Sequence, residues 1–170
     1  MVVREDRKEQ IIEKAVKIFA ERGYYKATTA LVAEAAGVTQ PYVFHFFKNK
    51  EELFKAVADR ALNRIYEAFV KADAPADQLM ETMGCAFTQI MQAHRDETIM
   101  VMQAHAIGEP LIREYVRERF RMIHATISEK FEKAGIPHPQ AAAAQFIGTG
   151  LLITVSEVLD LPELIQFKGK

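Results

Sequence analysis

Gln40, Tyr42, His45, Lys48 and Lys50 crowd hydrogen-bonding and cationic side chains into one short stretch of the 170-residue chain. The amide of Gln40 can pair with adenine through two bonds, or bond other base edges. The phenol of Tyr42 and the imidazole of His45 can bond phosphates, and the lysines bring cations to the same backbone. Pro41 can lie against a thymine methyl group. This is chemistry for reading a nucleic acid, not for catalysis. The sequence holds no HExxH, no paired-cysteine motif, no phosphate-cradling glycine loop and no GxSxG. His94, His105 and His124 fall on different predicted helices, so neither a metal site nor a cofactor is expected, and the chain is not expected to be an enzyme.

Two short helices must hold those side chains. Thr28 can cap the first, because its hydroxyl can accept a free backbone N–H. Leu31, Val32 and Ala35 give that helix an apolar side, and Ala33 and Ala36 are small enough for close packing. Gly37 falls where a helix ends at positive φ. Val38 plugs the angle between the helices, and Thr39 caps the second. Pro41 is tolerated only in a first turn, which fixes where that helix begins. Val43, Phe46 and Phe47 form its inward side, leaving Gln40, Pro41, Tyr42, Phe44 and His45 to the outside or the rim. Upstream, residues 4–22 form an amphipathic helix ended by Gly23. Downstream, Asn49 caps a long helix over residues 50–72, whose N-terminus adds partial positive charge. The unit is a helix-turn-helix with a second helix sized for a DNA major groove.

The run Gly23-Tyr24, Thr28-Thr29, Val32-Ala33, Ala36-Gly37-Val38, Gln40-Pro41-Tyr42, Phe44-His45-Phe46-Phe47 and Lys50-Glu51-Glu52-Leu53-Phe54 resembles the DNA-binding domain of the TetR family. The resemblance implies a homodimeric transcriptional regulator, most often a repressor, released from a palindromic operator by a small ligand. It implies contacts to double-stranded DNA at Thr28, Thr39, Gln40, Pro41, Tyr42, Phe44, His45, Lys48 and Lys50, with Thr28 on a phosphate. Two departures stand out. Phe44 occupies a position where the family usually has tyrosine, and Tyr42 can take over the missing hydroxyl. Ala30-Leu31 replaces the usual polar pair before Val32. The alternative reading is a helical DNA-binding or interaction protein without a ligand response.

The rest of the chain predicts an all-α protein with helices over residues 76–93, 97–106, 110–134 and 139–159. The expected division is a three-helix headpiece at 1–48 and a helical ligand-binding and dimerisation body at 49–170, connected by the 50–72 helix. Met83, Phe87 and Met91 form an apolar stripe, and methionine suits a cavity that must fit varied apolar ligands. With Met102 and Phe120 they are the candidate lining, and Gln103, His105 and His124 are the candidate polar groups. The small and apolar residues of 141–158 leave two sides to bury. Phe146, Ile147, Gly148, Gly150, Leu151, Thr154, Val155 and Val158 are the expected dimer interface.

Charge and cysteine usage agree. Residues 1–72 carry 13 Lys and Arg against 10 Asp and Glu, whereas residues 73–170 carry 9 against 13, so the basic excess sits with the motif. A single cysteine, Cys85, allows no internal disulfide. The start, MVVREDRKEQ, has no signal-peptide core, and the apolar run at residues 148–155 is too short to span a bilayer. A cytoplasmic protein without a membrane partner is expected.

Overall fold

A computed structural model describes residues 2–165. Among these, eight α-helices and no strands occur: α1 (Val2–Lys26), α2 (Thr29–Ala35), α3 (Gln40–Phe46), α4 (Lys50–Lys71), α5 (Ala76–Ala93), α6 (Arg95–Ala104), α7 (Pro110–Lys133) and α8 (Pro139–Leu159). The fold class is therefore the expected all-α one. The local signals act as read. Thr28 Oγ1 accepts from Leu31 N at 3.2 Å, and Asn49 Oδ1 accepts from Glu52 N at 2.8 Å. Gly37 ends α2 at φ 65°. Gly23, at φ 68° and ψ 168°, is non-helical and breaks α1 into two helical pieces, as its expected helix-ending role requires. Thr39 occupies the cap position of α3, yet its side chain makes no cap bond.

The described residues pack as two compact units: residues 2–62 with 96–116, and residues 63–95 with 117–165. The division runs through the middle of α4. In the first unit, α2 packs on α1 and α3. Phe19, Leu53 and Phe54 are fully buried behind them, and the Phe54 ring meets Phe19 at 5.1 Å and Tyr24 at 5.2 Å, both edge-on. The buried face of α2 is Thr29, Val32 and Ala33. Ala35, expected on the apolar side, is exposed and Leu31 only half-buried. In a helix of two turns, alanines give the apolar face too little direction to fix which side is buried.

Residues 96–116 are tied to this unit by polar bonds that local spacing does not reveal. Arg60 on α4 lies between Glu9 and Glu97, with its Nε 2.9 Å from Glu97 Oε1. Glu97 is buried, and the guanidinium compensates its charge there. Gln103 Nε2 donates to Ala20 O at 3.0 Å, Gly108 N to the Tyr25 hydroxyl at 3.0 Å, and the Tyr115 hydroxyl to Asp59 Oδ1 at 2.6 Å.

The Tyr24 hydroxyl donates to Glu51 Oε1 at 3.1 Å. Burial, and then the Glu51 carboxylate, push its pKa well above the ordinary tyrosine value. The folded state thus holds a proton that the unfolded chain releases near pH 10. This contribution to stability is complete below pH 10 and is lost as pH rises further. Tyr24→Phe is expected to flatten the alkaline limb of stability against pH, as read by denaturant unfolding between pH 8 and 11.

The second unit is built on Met83, Ile127 and Phe131, all fully buried. Phe146 of α8 meets Phe69 at 5.3 Å and Phe131 at 5.9 Å. Lys130 Nζ donates to Val70 O at 2.9 Å, which ties α7 to the end of α4. Among the described residues, α8 is the one helix long and apolar enough to cross a bilayer, and only 17% of its most apolar stretch is buried. The run at 148–155 alone seemed too short. Ala141–Ala144 extend it upstream without a charge, and no charge interrupts α8 before Glu157.

Candidate nucleic-acid interface

The recognition surface is set by two buried anchors. Val43 on α3 is fully buried, and Phe47, the residue just past its end, is nearly so. Their burial turns Gln40, Pro41, Tyr42, Phe44 and His45 outward, and all five are exposed. Phe44 is 43% exposed, which removes it from the core and leaves its ring available to DNA. Phe46, expected inward, is half-buried and packs edge-on against the rings of Tyr42 and His45, each at 5.4 Å. It stiffens the reading surface from its rim.

The polar groups divide by what already holds them. Gln40 Nε2 donates to Thr29 Oγ1 at 2.8 Å. Lys50, expected to meet phosphate directly, donates to Tyr24 O at 3.1 Å and lies 4.4 Å from the centre of the Tyr24 ring. It is half-buried and adds field at the start of α4 while serving as a brace. Lys48 is exposed. Thr28 and Thr39 are exposed at the starts of α2 and α3. The Thr28 oxygen accepts its cap bond, so its own hydrogen can go to a phosphate. Sequence reasoning missed Lys8, whose Nζ lies 5.9 Å from the Phe47 ring centre and adds a cation where α3 ends. A lysine on a charged amphipathic helix carries no local mark of this position. Thr29 was missed as well, because a threonine just inside a helix start reads as simple packing.

The eight candidate ligand residues divide between the two units, three in the first and five in the second. Met83, Phe87 and Met91 are buried together along α5, with the Phe69 ring 6.5 Å from Phe87. Phe120 and His124 lie half-buried on α7, and His124 Nε2 is 3.1 Å from Gln140 O. Met102 is half-buried. Gln103 spends its amide on the Ala20 carbonyl. His105 is exposed beyond the end of α6, its Nδ1 2.9 Å from Met102 O. An open groove runs along the opposite side of α5 from the methionines, past Gln78, Glu81, Thr82, Cys85, Ala86 and Gln89. No group of metal-ligating side chains occurs among the described residues.

The candidate dimer residues occupy two sides of α8. Thr154 is buried in its own protomer, and its hydroxyl donates to Gly150 O at 3.0 Å. A Cβ on Gly150 would meet the Phe87 ring at 3.8 Å, and Phe146 touches two rings of its own unit. Steps of four residues place these three on one inward stripe, so they are set apart from the outer face. Gly148, Leu151 and Val158 are exposed, with Ile147 and Val155 half-buried beside them.

The sequence profile of the bacterial regulatory proteins of the tetR family matches residues 11–57. The HTH-type transcriptional regulator YhgD of Bacillus subtilis is 33% identical over 130 residues, which cover 75% of this chain and 68% of that protein. The chain is a helix-turn-helix transcriptional regulator, and it belongs to the TetR family. Solved structures agree on the fold. The Bacillus subtilis regulator FadR in complex with stearoyl-CoA superposes with a TM-score of 0.76 at 20% identity, over 92% of this chain and 91% of that one. AibR, solved with isovaleryl coenzyme A and operator DNA, gives a TM-score of 0.73 at 22% identity, over 88% and 86%.

Proposed function

We propose that this regulator is a homodimeric repressor that reads a palindromic operator through α3 and is released by a small, largely apolar effector. The observation that carries the reading is the exposed set Gln40, Pro41, Tyr42, Phe44 and His45, held outward by buried Val43 and Phe47. A dimer supplies two such helices, matching two half-sites one helical turn apart, about 34 Å. The outer face of α8 supports the dimer, since an apolar helix face of that length needs a partner. Chromosomal DNA as the target puts the work in the cytoplasm.

The effector binds the second unit, where buried Met83, Phe87 and Met91 line one side of α5. An acyl chain is the apolar group to test first, offered as its coenzyme A thioester, because FadR and AibR were solved with such molecules. The helix α4 begins in the DNA-binding unit and ends in the other, so a tilt imposed at its end moves the recognition helix at its start. DNA fixes the half-site spacing, and a shift of a few ångströms then prevents both helices from docking. Ligand and operator weaken each other reciprocally.

Fluorescence anisotropy on an operator selected from random duplex DNA tests this. Sequence-specific binding relieved by an acyl-CoA series is the expected outcome. Salt-sensitive but sequence-blind binding overturns it. Lys48→Ala is expected to weaken binding to all sequences and to lower the salt slope by about one.

A further inference from the structure

We infer that Thr29, which need not touch DNA, sets the base preference of Gln40 by fixing which edge of its amide faces the groove. The inference rests on the DNA-reading role proposed for α3.

The hydroxyl of Thr29 is buried and set apart from the usual duties of a helix start. Thr28, one residue earlier, supplies the cap of α2 by accepting from Leu31 N. Thr29 is 6% exposed, and its Oγ1 accepts from Gln40 Nε2 at 2.8 Å. The bond joins the first turns of the two helices of the motif. Val32 and Val43, both fully buried, lie on the same two helices, which pack directly on each other.

A primary amide carries two N–H bonds, one beside its oxygen and one pointing away. Adenine is read by the oxygen together with the neighbouring N–H, which match its N6 donor and N7 acceptor. The remaining N–H is superfluous to that pairing. Donated to Thr29, it holds the amide so that the adenine-reading edge faces out, and it withholds the alternative. With the hydroxyl gone, the amide is free to turn. It can then present both N–H bonds to guanine, whose O6 and N7 are acceptors. A buried threonine thus favours adenine over guanine at one base pair in each half-site.

The experiment selects preferred sites from a randomised double-stranded DNA pool with the full-length protein. It then measures affinity for the selected site and its single adenine-to-guanine variants at fixed salt. Gln40→Ala identifies the base pair that Gln40 reads, and its preference is expected to fall about tenfold. Thr29→Val keeps shape and burial but removes the acceptor. It is expected to lower adenine-over-guanine preference at that pair by threefold or more, roughly the worth of one hydrogen bond. Preferences elsewhere in the site stay as in the wild type, and Thr29→Ser restores the lost one. Equal loss at every position, or no recovery in Thr29→Ser, would mean that Thr29 only packs, and overturns the inference. So does an unchanged preference in Thr29→Val. If Gln40→Ala leaves every preference intact while the wild type still selects a site, this inference alone falls. If the wild type selects no site, the DNA reading falls with it.

Discussion

Arg60→Ala is expected to lower the unfolding free energy by about 3 kcal/mol, the scale for removing one member of a buried ion pair. Glu97 is 6% exposed, and Arg60 Nε stands 2.9 Å from its carboxylate. The contact is Coulombic, since that Nε lacks a well-aligned hydrogen bond. Without the guanidinium, a buried carboxylate beside α4 loses a compensating charge in low dielectric, which is costly. Glu9, the other carboxylate on Arg60, is largely solvated and contributes little. For a chain of this size the loss corresponds to a fall in Tm of about 10 °C, measured at fixed protomer concentration because association itself stabilises. The double variant Arg60→Met with Glu97→Leu should recover most of it, as replacing both charges removes the desolvation penalty. A single variant as stable as the wild type would show that Glu97 is compensated elsewhere. The pair seats α6 on the DNA-binding unit, so hydrogen exchange in Arg95–Ala104 should accelerate in Arg60→Ala before the rest of that unit responds.

Such bonds mark the limit of what was legible in the sequence. Thr28, Gly37, Pro41 and Asn49 declared the motif because each acts on its own backbone within a few residues. The predicted bounds of α5 and α8 match, since Pro75, Pro139 and the turn residues after each helix act locally too. Arg60 with Glu97, Gln103 with Ala20, and Gln40 with Thr29 obey no such spacing. Their partners are chosen by how the helices cross, and a single sequence does not encode crossing angles in any local pattern. Gln103 shows the consequence. Its type and neighbours suggested a ligand contact, yet its amide holds α6 against the carbonyl of Ala20. The faces of α8 were hidden for a related reason. Apolar residues surround the helix, so the sequence carries no period to separate the inward stripe of Phe146, Gly150 and Thr154 from the outer one.

That separation makes Gly148→Arg the sharpest test of the assembly. Gly148 lies on the outer side of α8, and a Cβ built there meets nothing within 4 Å. The side chain therefore finds room within its own protomer, and arginine favours a helix more than glycine does. A folded, undestabilised protomer is expected by circular dichroism. Across a two-fold interface, however, residue 148 recurs on both copies, and two arginines would be driven together among Leu151, Val155 and Val158 with their charges desolvated. Sedimentation equilibrium should then return monomers. Each monomer retains an intact recognition helix but binds one half-site alone, losing the effective concentration that linkage provides. Operator affinity is expected to fall by about 100-fold or more, while the preference within a single half-site stays unchanged. Thr154→Arg gives the contrast, because Thr154 is buried within the protomer and its replacement should unfold the second unit itself. A Gly148→Arg protein that remains dimeric and binds its operator normally would place the two-fold contact elsewhere than on the outer face of α8.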